Sequence, residues 1–420
     1  MKQRAFWSVA VAATLALAGC GSATGTDSSN STSGKLVVWD WKSGDKTATA
    51  YVAKAKADFV KKHPGVTVEF VAQPFDQYYT LLGAAIQAGK GPDVMMFNGG
   101  GQIRDRVDAL VPLDGFVAPD QQRLTGWDAF AKDGKTYGAP VTLQGYPVYF
   151  NKTLYKTAGL DPQRPATTWD GFTADCATIT KATKASCFAL GNKEGIGIQF
   201  FLSAFGSGIL TPQEYDSWIA GQRDWTSPHV KQVFQLWKDV NDRGLNSKGG
   251  NSTTLFTDAF GIFQSGKAVN IIGLMSDIGH WKDFNEFLGP DNVGVMKSPV
   301  IAAGATPSLP FDGGIGYAVA KWTKDPALAA DLVRSLTSTE ALTAFYADAG
   351  AVVSDTTVQT SSGGAAISAI VADLKTGKPA LHVALSSKTI ELMGRLSQQI
   401  LEGTVSVDDA LKQLGESDRS

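Results

Sequence analysis

Residues 36–97 alternate between strand-like and helix-like apolar patterns with only short breaks, and few architectures accept such a chain. Leu36-Val37-Val38-Trp39 is an apolar run with β-branched residues, suited to a strand buried on both faces. Asp40-Trp41-Lys42-Ser43-Gly44 breaks it. A helical pattern follows with Val52, Ala55 and Phe59 on one face, Lys61 and Lys62 in the last turn, and Pro64-Gly65 as the stop. Val66 to Val71 reads as the next strand. Pro74-Phe75-Asp76 then leads into a helix with Tyr78, Leu81, Leu82, Ala85 and Ile86 on its apolar face, ended by Gly89-Lys90-Gly91-Pro92-Asp93. A third strand, Val94-Met95-Met96-Phe97, runs into Asn98-Gly99-Gly100-Gly101. Strand, helix, strand, helix, strand with short connections predicts right-handed βαβ units, a parallel sheet and an α/β fold.

Ligands of such open sheets bind outside the carboxyl ends of the strands. Those ends are Trp39-Asp40-Trp41, Gln73 to Asp76, and Asn98-Gly99. Aromatic faces mixed with amides and carboxylates suit a hydroxyl-rich ligand, because the C–H face of a pyranose packs on a ring while its hydroxyls need paired donors and acceptors. Trp39, Asp40, Trp41, Asp76 and Asn98 are therefore candidate contacts, with Asp76 reading equally well as a helix N-cap.

Tyr137 to Lys152 reads as an extended segment crossing between lobes, and it contributes Gln144 and Tyr146 to the candidates. Thr167-Thr168-Trp169-Asp170 and Ser227-Pro228-His229 start helices; in the second, Val230, Val233, Phe234 and Trp237 form a stripe read as core. Phe260 to Gly266 is a short amphipathic stretch before a strand at Ala268 to Ile272. Gly313 to Ala320 is a Gly-rich lead-in to another strand, and Asp325-Pro326 opens a helix with Leu328, Leu332 and Leu336 along one side. A helix at about Lys388 to Leu401 is expected to close the chain.

The amino terminus carries address rather than fold. Met1-Lys2-Gln3-Arg4 is basic, and the run Ala5 to Ala18, interrupted only by Ser8 and Thr14, is shorter than the roughly 20 residues of a membrane span. Residues 1–19 read as a secretory signal peptide. Leu17-Ala18-Gly19-Cys20 resembles the bacterial lipobox, so Cys20 is expected to carry lipid at the outer face of a bacterial cell membrane; a buried or disulfide-linked Cys20 is the alternative. Gly21 to Gly34 is Gly, Ser, Thr, Ala, Asp and Asn, which reads as a flexible tether over residues 20–34. Of three cysteines, Cys176 and Cys187 then remain as an even pair in an oxidising compartment, expected to be bonded, with two buried thiols as the alternative.

Composition excludes several classes. A formal net charge of −2 supplies no basic field for nucleic acid. The four histidines lie far apart in sequence and from the cysteine pair, leaving no common zinc pattern and no expected cofactor. No Gly-x-Ser-x-Gly elbow, His-Glu-x-x-His or Walker sequence is present, and Gly313-Gly314-x-Gly316 is not followed by a helix, so the chain is not expected to be an enzyme. A secreted glycoside-processing enzyme and a binder of a non-sugar solute are the competing readings.

Taken in order, Lys35-Leu36-Val37-Val38-Trp39, Lys62-His63-Pro64-Gly65-Val66-Thr67-Val68, Gly91-Pro92-Asp93-Val94, Tyr149-Phe150-Asn151-Lys152, Thr168-Trp169-Asp170-Gly171-Phe172, Phe263-Gln264-Ser265-Gly266-Lys267-Ala268 and Gly313-Gly314-Ile315-Gly316 resemble the family 1 extracellular solute-binding proteins of carbohydrate ABC transporters. The resemblance implies a two-lobe periplasmic-binding-protein type II fold of the Venus flytrap kind, each lobe a mainly parallel sheet flanked by helices. It implies lobes at 35–144 plus 315–350 and 145–314 plus 351–420, hinge closure on a sugar, a monomeric state, and permease and ATPase partners. Trp41, Lys42, Asn98 and Glu194 fall where the family contacts sugar. The family's Gly-Ser-Trp is replaced by Gly273-Leu274-Met275-Ser276-Asp277, and an aromatic on the C-terminal helix by Ile390. That leaves Trp39, Trp41, Trp281 and Phe311 as stacking candidates, Asp277 and Asp312 as hydroxyl acceptors beside Gly313, and a mono- or disaccharide as the expected ligand.

Overall fold

The computed structural model describes residues 34–276, 279–358 and 363–419. The signal peptide, Cys20 and the tether, like Asp277, lie outside the described residues. The expected alternation is present as β1 (Gly34–Asp40), α1 (Thr49–Lys62), β2 (Val66–Ala72), α2 (Phe75–Ala88) and β3 (Val94–Asn98). β1 lies between β2 and β3, parallel to both, with Val38 opposite Phe70 on one side and Val94 on the other. β3 is the strand buried on both faces; in β1 buried Leu36, Val38 and Asp40 alternate with half-exposed Val37 and Trp39. α1 turns Tyr51, Ala55 and Phe59 inward, with Val52 at the margin, because the Tyr51 hydroxyl reaches across the core to donate to the Leu336 carbonyl at 2.9 Å.

The first sheet is five-stranded, in the order β2, β1, β3, Ile315–Val319, Gly138–Pro140. Ile315–Val319 runs antiparallel to both its neighbours. It arrives directly from the other lobe and not through a crossover helix, which frees it from the parallel direction that βαβ units impose. The second sheet, in the order Val293–Met296, Val148–Asn151, Ala268–Ile272, Ser186–Phe188, corrects the expectation of a mainly parallel sheet in each lobe. Val148–Asn151 is antiparallel to both flanking strands, and only the pair Ala268–Ile272 with Ser186–Phe188 is parallel.

Buried side chains form one cluster drawn from 36–141 and 315–358 and another drawn mainly from 143–309 and 366–414. Val353 and Val358 pack in the first cluster, although the implied boundary assigned 351 onwards to the second lobe. The chain crosses between the clusters through paired strands: Leu143–Gly145 runs antiparallel to Phe311–Gly313, and Thr142 bridges Val353. At this crossing a Cβ on Gly313 would sit 2.2 Å from the Gly126 carbonyl oxygen, so only glycine lets the backbones approach.

Helices start where caps were read. Thr168, Ser227 and Asp325 each accept a backbone N–H from the first turn of their helix. Asp76 is corrected: Pro74 holds the cap position of α2, and Asp76 lies exposed in the first turn. The chain does not close with Ser387–Glu402; Val407–Asp418 follows, burying Ala410, Leu411 and Leu414, with Asp418 gripped by Arg223 at 2.7 and 3.0 Å. Its apolar positions are sparse among acids and glycine, which hid it from periodicity.

Cys176, in the helix Trp169–Thr183, is bonded to Cys187, in the strand Ser186–Phe188, as expected. The bond staples helix to sheet across a sequence separation of 11. A loop of that length contributes about 3 kcal/mol through the unfolded chain. Replacing both cysteines with alanine is expected to lower unfolding free energy by about that amount in urea titration; an unchanged midpoint would contradict the stapling role.

Candidate functional site

A cleft of about 640 Å³ opens where the carboxyl ends of β1, β2 and β3 face the second lobe across the crossing strands. Asp40 shapes its rim from below. Its carboxylate is fully buried, accepts the backbone N–H groups of Lys42 at 3.0 Å and Ser43 at 2.8 Å, and accepts the Tyr317 hydroxyl at 3.1 Å. Burial raises its pKa, and the bonds from Ser43 and Lys42 pull the other way. The turn so held projects Trp41 and Lys42 into the cleft. Trp41 packs edge-on against Phe75 and Tyr78, with ring centroids 5.4 and 4.8 Å away. Lys42 is ion-paired with Asp45 at 3.1 Å.

β2 ends beside this turn because the Gln73 N–H donates to the Asp40 carbonyl at 2.7 Å. Gln73 and Phe75 thereby reach the cleft, and Phe75 is 55% exposed there. Asn98, at the end of β3, joins them, its N–H donating to the Tyr79 hydroxyl at 2.9 Å. Gln144 and Tyr146 rise from the crossing. The second lobe adds Gln199 and Phe200 from the helix Gly197–Gly206, Phe256 from a wide helical turn at Leu255–Ala259, Leu274, and His382.

Of the residues expected at the site, Trp41, Lys42, Asn98, Gln144 and Tyr146 line the cleft. The others stand elsewhere. The Trp39 ring packs on the first core, while its carbonyl accepts from Tyr78 at 3.1 Å. Glu194 accepts the Leu255 N–H at 3.2 Å and so anchors the turn carrying Phe256. Trp281 is buried, its indole N–H donating to the Gly350 carbonyl at 2.8 Å. Phe311 packs over Gly377, and Gly313 serves the crossing. Sequence reasoning did not select Phe75, Gln199, Phe200, Phe256 or His382. Phe75 carried a signal, since it lies in the strand-end segment after β2; the second-lobe residues carried none.

Asp312, paired opposite Gln144 on the crossing, accepts the Ala380 N–H at 2.6 Å and so holds the segment leading to His382. Burial pushes its pKa up to about 7, against the pull of the Ala380 bond and of Arg104. A folded-state value above the unfolded one means the native protein holds the extra proton. Stability from this group is therefore full below the unfolded value near 4 and is lost as pH rises through about 7. Asp312→Asn, which keeps the acceptor, is expected to flatten the fall in urea midpoint across that window; an unaltered slope would contradict the assignment.

Two α/β lobes joined by paired crossing strands around a ligand-sized cleft define a hinged binding protein. A family model described as "Bacterial extracellular solute-binding protein" matches residues 41–343, and the chain belongs to that family. A "Putative binding protein" of Brucella abortus (strain 2308) is 28% identical over 243 residues, covering 54% of this chain and 53% of that protein, so the chain spans about half the length of that relative. The maltodextrin-binding protein MdxE of Bacillus subtilis (strain 168) is 26% identical over 362 residues, covering 81% of this chain and 78% of that one. A solved structure of a chitin oligosaccharide binding protein superposes with a TM-score of 0.79 at 20% identity, covering 92% of this chain and 99% of the other, and shows the fold. The family resemblance read from the ordered motifs is borne out, as is the two-lobed α/β class. The matched family and these relatives are binding proteins by name.

Proposed function

We propose that this protein is the extracellular carbohydrate-binding lipoprotein of a bacterial ABC importer, closing on a neutral mono- or oligosaccharide and delivering it to the permease and its ATPase. The observation that carries the reading is the lining of the cleft. Each lobe contributes aromatic faces, Trp41 and Phe75 on one side and Phe200 and Phe256 on the other, and amides stand between them at Gln73, Asn98, Gln144 and Gln199. Rings take the apolar faces of a pyranose, and amides supply both donors and acceptors to its hydroxyls. Among the described residues the charged side chains lining the cleft are Lys42 and Asp45, which pair with each other, while burial holds His382 neutral by pushing its pKa down to about 3. That balance disfavours a phosphate ester or a polyamine, whose charge would be desolvated without a matching partner.

Thermal shift with a panel of neutral sugars, sugar phosphates, peptides and polyamines tests this. A ligand at about 100 times its Kd stabilises by roughly 2.7 kcal/mol. A shift with a charged class and none with neutral sugars would remove the carbohydrate reading. Binding without turnover is part of the proposal, and product release from any glycoside by the purified protein would replace it with the enzyme reading. The lipid anchor is tested by Cys20→Ser, expected to release the protein into the medium, with retained membrane association as the contrary result.

A further inference from the structure

The first sheet splits at the cleft. β1 stays paired with β2 as far as Asp40, but its parallel pairing with β3 ends at Trp39 and Met95, while β3 runs on to Asn98. Successive N–H groups of a strand point to opposite sides, and the Gly99 N–H donates to the Gly314 carbonyl at 2.8 Å, on the side of Ile315–Val319. The Asn98 N–H therefore faces the gap that β1 has left, where no strand accepts it. Trp41 and Asn98 stand on the two lips of this gap, and both line the cleft.

Two adjacent tyrosines of α2 occupy the gap in place of a strand. The Tyr78 hydroxyl is shared between the Met96 carbonyl at 2.8 Å and the Trp39 carbonyl at 3.1 Å, one from each of the parted strands. The Tyr79 hydroxyl oxygen accepts the Asn98 N–H at 2.9 Å. The Tyr79 ring lies edge-on to Tyr78 with centroids 5.3 Å apart, 6.1 Å from Trp41 and 6.4 Å from Phe97, and the Arg106 guanidinium stands 5.2 Å from its centroid. Burial raises the Tyr79 pKa, against the pull of the Asn98 N–H, of Arg106 and of the Asn98 side chain, so the phenol stays neutral. A ring confined on these sides fixes its oxygen, and the oxygen fixes the Asn98 N–H. Breaking that bond would leave the N–H with neither strand nor phenol to accept it, which favours one placement of the strand end.

We infer that Tyr79 is a positioning residue for ligand binding: its hydroxyl takes the place of a strand in the gap between β1 and β3 and sets where the Asn98 amide meets the ligand. The inference rests on the carbohydrate reading for that ligand, whose hydroxyls an amide serves as both donor and acceptor.

Tyr79→Phe keeps the ring among its neighbours and removes the acceptor oxygen. Amide hydrogen exchange of the unliganded protein reads the bond directly. The Asn98 amide is expected to exchange about tenfold faster in the variant, while Gly99, whose bond to Gly314 is untouched, changes by less than about twofold. Unchanged exchange at Asn98, or equal acceleration at both amides, overturns the proposal whether or not any sugar binds. Calorimetry with maltose, cellobiose and chitobiose supplies the second readout as a double-mutant cycle. For a sugar that the wild type binds, Tyr79→Phe is expected to lower affinity about three- to tenfold, and by less than about twofold when Asn98→Ala is already present. Unchanged affinity in the single variant, or equal losses in the two backgrounds, leaves Tyr79 a packing residue and overturns the positioning claim. With the Asn98 amide loosened and no sugar bound by the wild type, the carbohydrate reading fails while the hold of Tyr79 on Asn98 stands.

Discussion

Truncating Phe75 to alanine is expected to weaken sugar affinity by about 10- to 100-fold with little change in the unfolding midpoint. Covering a phenylalanine side chain is worth about 1.5–3 kcal/mol, and Phe75 is 55% exposed at the cleft, so a sugar packed against it would bury much of that surface. Phe256, 39% exposed on the opposite lobe, is expected to behave alike, and the double variant to lose more than either. Trp41 offers a poorer test than its strand-end position suggests. Its ring already packs against Phe75 and Tyr78, so Trp41→Ala removes core contacts together with a stacking face. Calorimetry with a bound sugar decides the matter: unchanged affinity in Phe75→Ala would take that side chain out of the site.

Arg123→Ala is expected to cost about 3 kcal/mol of stability at neutral pH. Its guanidinium donates to Asp355 at 2.9 Å, to Asp120 at 2.8 Å and to the Thr337 carbonyl at 2.8 Å, tying the first lobe to the segment that returns from the crossing. The Asp355 side chain is 0% exposed, and without Arg123 its charge keeps, among the described residues, Thr339 and Thr357 as donors. Burial alone would raise the Asp355 pKa, but the bonds from Thr357, Thr339 and Arg123 outweigh it and hold the value below the usual range. A lowered folded-state pKa contributes stability that is present above the unfolded value near 4 and is lost as pH falls through the folded one. The penalty of Arg123→Ala should therefore shrink in acid, where the carboxyl is protonated. Urea titrations at neutral and acid pH measure this, and a penalty independent of pH would point to lost packing instead of an unpaired charge.

Legibility followed the range of the interactions. Thr168, Ser227 and Asp325 were readable as helix caps because a cap is completed within its own first turn. The strand ends at Trp41 and Asn98 were readable because a break in an apolar run is visible in the run itself. Trp281 misled, since an indole looks the same in sequence whether it faces a cleft or donates to Gly350 from the core. Glu194 lies beside the site in a supporting role, holding the turn of Phe256 by a bond to the Leu255 N–H, and neighbours 61 positions apart leave no local mark.

Local periodicity was enough to specify the α/β class, the parallel order around β1 and the ordered junctions that mark the family, because each depends on residues a few positions apart. The lining of the cleft was settled only in three dimensions. Phe75, Tyr146, Phe200, Phe256 and His382 become neighbours through two lobes closing on paired crossing strands, and the Ser203 hydroxyl comes within 2.7 Å of His382 Nδ1 from 179 positions away. Burial and proton placement are properties of that assembled environment, so the chemistry of the site exists only once the chain has packed.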